Sequence, residues 1–100
     1  MYKLLLFLKK TDNKQVFAHF EEFTLKHLSN LAGEEIIAGK VESSLLLETK
    51  YSHFCEFEVA KKEDMDKLLN SKHGKELNKD LMNYHEYVDL IFVDYVQINK

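Results

Sequence analysis

Apolar residues run without a break from Leu4 to Leu8, with Tyr2 ahead of them, so both alternating faces of this segment are hydrophobic (Tyr2, Leu4, Leu6 and Leu8 against Leu5 and Phe7). A short run of that kind, closed by Lys9 and Lys10, predicts a strand covered on both sides. Asp12 and Asn13 then offer a helix cap. From Val16 the pattern continues through positions 16, 17, 20, 23, 27, 28 and 31, the period of an α-helix, and Gly33 supplies a stop. A first helix over residues 13–31 follows.

The stretch "EEIIAGKVESSLLLETKYSHFCEFEVA" is rich in β-branched and aromatic residues on both sides of "ETK", which predicts a hairpin turning near Glu48 to Lys50. Gly39 in its first arm marks a bulge or a close backbone approach. Met65, Leu68, Leu69, Leu77, Leu81 and Met82 return to helical spacing, with an interruption near Gly74, so a broken or paired helix is expected. "VDLIFVDYVQI" closes the chain as a strand with large apolar side chains on both faces. The order βαββαβ predicts an α+β, ferredoxin-like domain with a four-stranded antiparallel sheet. Helices packed on one side cover only one face of such a sheet, yet the first and last strands are apolar on both. A second copy is the simplest cover for the remaining face, which predicts a homodimer whose two sheets pack as a dimeric α/β barrel.

Composition narrows the functions. One hundred residues, 45% of them hydrophobic, make a single domain with one core. All fourteen positive residues are lysines and the net charge is -3, so no arginine fork or basic stripe is present to read a nucleic acid. The single cysteine, Cys55, leaves nothing for an internal disulfide or a paired zinc spacing, and the cytoplasm is the expected compartment. The apolar core of "MYKLLLFLKK" is too short for a signal peptide or a membrane span, so no membrane partner is expected. Five histidines (19, 27, 53, 73 and 85) show no metal-ligand spacing and three glycines form no phosphate loop, so no cofactor is expected.

The segment "SKHGKELNKDLMNY", residues 71–84, resembles the second-helix signature of the EthD family at Ser71, Gly74, Asp80, Asn83 and Tyr84. An aromatic in the first helix (Phe20), a glycine after it (Gly33), the hairpin and the closing strand extend the likeness along the chain. The resemblance implies the dimeric α/β barrel superfamily, whose members include isomerases, polyketide cyclases and cofactor-independent monooxygenases. The family usually carries a histidine four residues after the helix-1 aromatic; here that position is Thr24, and Ala32 stands where a proline commonly precedes the glycine. A threonine exchanges hydrogen bonds but takes up no proton at neutral pH.

At about 100° per residue, Val16, Phe20, Phe23, His27 and Leu31 fall within a sector of roughly 80°, which puts His27 on the apolar stripe beside Thr24. His27 is therefore the candidate catalytic base, its pKa lowered by burial, with a neutral, hydrogen-bonded core histidine as the alternative. Thr24, Phe20, Tyr95 and Glu56 are the candidate ligand-binding residues: Phe20 as the helix-1 aromatic, Tyr95 as a hydroxyl donor from the last strand, and Glu56 as a carboxylate on a sheet face. Two functions are open on this reading. One is binding of a small, mainly apolar molecule between sheet and helices with cofactor-independent proton transfer or oxygen-dependent chemistry. The other is a non-catalytic ligand carrier or accessory subunit.

Overall fold

The computed structural model describes residues 1–42, 45 and 48–96. Strand β1 covers Tyr2–Lys9, and its Leu4, Leu6 and Leu8 are buried while Leu5 and Phe7 on the opposite face are only half-buried. Asn13 caps the first helix, its side chain accepting from the Gln15 amide at 3.0 Å. That helix, α1, runs over residues 14–32 in three consecutive parts: α-helical Lys14–His19, a wide π turn at Phe20–Thr24, and α-helical Leu25–Ala32. Gly33 ends it with φ 74°, a left-handed conformation that glycine adopts without steric cost.

Strands β2 (Gly39–Lys40) and β3 (Tyr51–Val59) pair antiparallel, as the hairpin reading requires. The first arm is far shorter than expected, and Ser43, Ser44, Leu46 and Leu47 of that arm lie outside the described residues. Gly39 pairs regularly with Phe54 and has room for a side chain, so it is neither a bulge nor a close approach; the irregularity falls between Leu8 and Lys9 of β1. Helices α2 (Lys62–Leu69) and α3 (Lys72–Met82) form the expected pair. The break sits at Asn70 and Ser71, and Gly74 lies inside α3, where a Cβ would overlap the Leu68 and Leu69 carbonyl oxygens. Ser71 joins the two helices: its hydroxyl donates to the Leu68 carbonyl and accepts from the Gly74 amide. A 3₁₀ turn at His85–Tyr87 leads into β4 (Val88–Asp94); Gln97 and Ile98 of the expected closing strand lie outside the described residues.

The sheet order is β2-β3-β1-β4 with every pair antiparallel, the ferredoxin-like arrangement. Register assigns the faces. Leu4 opposes Phe57 and Phe92, and Leu6 opposes Cys55 and Leu90, on the side covered by helices. Leu5 opposes Glu56 and Ile91, and Phe7 opposes Phe54 and Asp89, on the side that no described element covers. The core lies between the first face and the helices, with Phe20, Leu28, Met65, Leu77 and Leu4, Leu6 and Leu8 of β1 essentially sealed from solvent. No helix among the described residues is long and apolar enough to cross a membrane.

Candidate functional site

The π turn decides which side of α1 faces the core. The Leu25 amide bonds to the Phe20 carbonyl, five residues back, so one extra residue is taken up in that turn. Positions Val16, Phe20, Thr24, Leu28 and Leu31 are consequently the buried ones. Three successive steps of four residues would drift by roughly 120° on a straight α-helix. A wide turn cancels that drift. Phe23 is therefore exposed and His27 only half-buried, contrary to the straight-helix reading that put His27 on the apolar stripe.

Thr24 is fully buried and belongs to a polar chain that crosses from α1 to α3. Its hydroxyl donates to Asp80 Oδ2 at 2.6 Å, while His19 Nε2 lies 2.6 Å from Asp80 Oδ1. Since the one hydroxyl proton of Thr24 goes to Asp80, the hydrogen bond between Thr24 and Tyr84 has the Tyr84 hydroxyl as donor. Burial, with Asp80 and Cys55 nearby, raises the Tyr84 pKa despite the opposing contribution of the Thr24 hydroxyl, so the phenol keeps the proton it donates. Every described buried side-chain nitrogen and oxygen has a partner. Asp80 and Tyr84 are two of the signature residues, and their place in the chain of bonds follows from Thr24 lying opposite them. His19 was not among the expected site residues. It precedes Thr24 by five positions, which is one turn only where the helix is π-wound.

A cleft of about 450 Å³ opens on another side of α1, against the β2–β3 edge of the sheet. Phe17, Phe20, Leu25, Ile36 and Ala38 give it apolar walls, and His53 lies at the sheet side with its ring 4.6 Å from that of Phe17. Burial, helped by the Lys40 ammonium and only partly opposed by Glu21, lowers the His53 pKa and favours the neutral ring. Lys26, Lys40, Glu21 and Glu35 also line this cleft. A smaller pocket of about 340 Å³ lies between the start of α1 and the end of α3, beside His19 and Tyr84. His27 lines a third depression, with Glu76, Lys79, Asp80 and Asn83.

The expected site residues do not converge on one cavity. Phe20 lines the 450 Å³ cleft and Thr24 anchors the buried polar chain. Tyr95 and Glu56 lie on the sheet face away from the helices: Tyr95 follows β4 there, 51% exposed, and Glu56 pairs with Lys3 at 3.2 Å. Neither reaches a chamber beneath the helices. Alternation along β3 and β4 separates the two faces but does not say which one the helices cover. Cys55 is buried on the helix side, and desolvation pushes its thiol up to about 12, so it stays protonated at neutral pH. Among the described residues no three His, Cys, Asp or Glu side chains gather to hold a metal ion.

Three solved structures share this architecture. An EthD family protein from Bacillus halodurans C-125 is 20% identical, with a TM-score of 0.79 over 96% of this chain and 99% of that one. A protein from Arabidopsis thaliana is 17% identical, with a TM-score of 0.69 over the whole of both chains. A dimeric protein of unknown function and ferredoxin-like fold from Bacteroides fragilis is 15% identical, with a TM-score of 0.52 over 94% of this chain and 95% of that one. At these identities the likeness establishes the fold, an α+β ferredoxin-like domain with a four-stranded antiparallel sheet. No protein-family model matches the chain, and no curated protein sequence does.

Proposed function

We propose that this protein binds a small, mainly apolar molecule in the cleft between α1 and the β2–β3 edge, acting as a ligand carrier or accessory subunit. The observation that carries the reading is the cleft itself: about 450 Å³, walled by Phe17, Phe20, Leu25, Ile36 and Ala38, with a neutral imidazole at one side. That volume falls inside the range of roughly 300–1,000 Å³ typical of small-molecule sites, and the apolar walls would hold the body of the ligand while Glu21, Lys26, Glu35 and Lys40 supply polar groups around it. Titrating 2-naphthol into ¹⁵N-labelled protein tests it. Shifts confined to residues around Phe17, Ala38 and His53, abolished by Ala38→Trp, are expected. Saturable binding that Ala38→Trp leaves intact, or none at all, sinks the reading.

The protein acts as a homodimer in this proposal. Leu5, Phe7, Phe54, Ile91 and Val93 form an apolar band on the face of the sheet that no described element covers, and a protein of similar fold is described as dimeric. A band of this kind is ordinarily covered. Light scattering at micromolar concentration is expected to give twice the chain mass, and Ile91→Glu to give the monomer.

A further inference from the structure

We propose that His19, oriented by Asp80, is a proton-transfer base serving a second site, the pocket between the start of α1 and the end of α3, for an uncharged, flat carbonyl compound. A carboxylate only accepts, so the 2.6 Å contact between His19 Nε2 and Asp80 Oδ1 has the proton on Nε2. In its neutral form such a ring has its lone pair on Nδ1, which makes no hydrogen bond to any described residue. Asp80 is nearly sealed from solvent and held at its other oxygen by Thr24, whereas the His19 side chain is 33% exposed. A buried acid that fixes one nitrogen of a histidine and leaves the other accessible is the arrangement that orients a general base.

The pocket has the matching chemistry. Its volume is about 340 Å³, and besides His19 it is lined by Asn13, Gln15, Val16, Asn83, Tyr84 and Tyr87. None of those six carries a full charge, which selects for a neutral ligand. Two aromatic rings and a valine suit a flat apolar body, and the amides supply donors for an oxygen. Asn13 already spends its side-chain oxygen on the Gln15 amide, so its NH₂ is the group left for a ligand.

With a ketone bound, Nδ1 takes the proton from the carbon next to the carbonyl. The C–H electron pair forms a carbon–carbon double bond and the carbonyl π pair moves onto oxygen as an enolate. The imidazolium returns its proton to carbon or to oxygen. Proton and electrons balance without an oxidant or other co-reactant. This inference is independent of the α1–β2 cleft, which lies on a different side of α1.

Two measurements test it. Nitrogen-15 spectra of the histidine rings in the unaltered protein are expected to show His19 as the Nε2–H tautomer; an Nδ1–H tautomer overturns the proposal. Deuterium exchange at the α-carbon of phenylacetone in D₂O, followed by proton NMR at neutral pH, is expected to run at least roughly tenfold faster with the protein than with its His19→Gln variant, the low end for a positioned base being larger still. His73→Gln, at an exposed position of α3, is expected to keep the full rate. Equal rates for the protein and His19→Gln, or loss of the rate in His53→Gln alone, overturn it. The last result would move the chemistry to the other cleft, so the two proposals fail separately.

Discussion

Replacing Thr24 by valine tests whether the polar chain between α1 and α3 holds the fold together. Valine matches threonine in shape and keeps the β-branch, so packing around the site is preserved and only the hydroxyl is lost. Two buried groups are then left short of a partner. Asp80 loses the donor at Oδ2, a hydrogen bond to a charged group that contributes about 1.5–3 kcal/mol, and the Tyr84 hydroxyl loses its acceptor at a cost of about 1–3 kcal/mol. Burying one more methyl returns about 0.8 kcal/mol. The net loss is about 3 kcal/mol, which for a domain of this size lowers Tm by roughly 12–24 °C. Urea denaturation followed by circular dichroism measures it directly. Thr24→Ser supplies the comparison, because it keeps the hydroxyl and gives up one methyl for about 1 kcal/mol. A valine variant as stable as the serine variant would refute the reasoning, since shape rather than hydrogen bonding would then govern the site.

Gly74→Ala is expected to destabilise by about 2 kcal/mol although alanine is the better helix former, because the new methyl overlaps the Leu68 and Leu69 carbonyl oxygens and must push α3 away from the end of α2; an unchanged urea midpoint would contradict the close approach. The lowered pKa of His53 gives a stability slope with a definite sign. Below the ordinary histidine pKa near 6.5 the unfolded chain binds a proton that the folded protein does not yet accept, so stability falls as pH drops from 6.5 toward the folded value. Urea midpoints compared with those of His53→Gln measure that contribution, and identical pH slopes for the two proteins would refute it.

Alternation and helical period were enough to derive the βαββαβ order, the Asn13 cap, the Gly33 stop and the two-part second helical segment, because each depends on residues close together in the chain. Strand alternation is local in the same way and puts Cys55 and Phe57 of β3 on one face and Phe54 and Glu56 on the other. Which face the helices cover is a tertiary matter, and on it turned the exclusion of Tyr95 and Glu56 from any chamber inside the subunit.

Helix α1 marks the boundary between the two kinds of information most sharply. Its apolar residues, read at the α-helical period, run through Phe23 and His27, and no residue in "FEEFT" announces a change of winding. Packing Val16, Phe20, Thr24, Leu28 and Leu31 along one line against the sheet and α3 needs the wide turn, whose extra residue brings Thr24 inward and swings His27 toward the margin. The sequence by itself determined the elements, their order and the greasy faces that demand cover, since short-range backbone preferences and periodicity set these. Only the tertiary structure decided that Asp80, contributed from a distant helix, gathers His19, Thr24 and Tyr84 around it, because a buried carboxylate takes its partners from whatever the fold brings within hydrogen-bond reach.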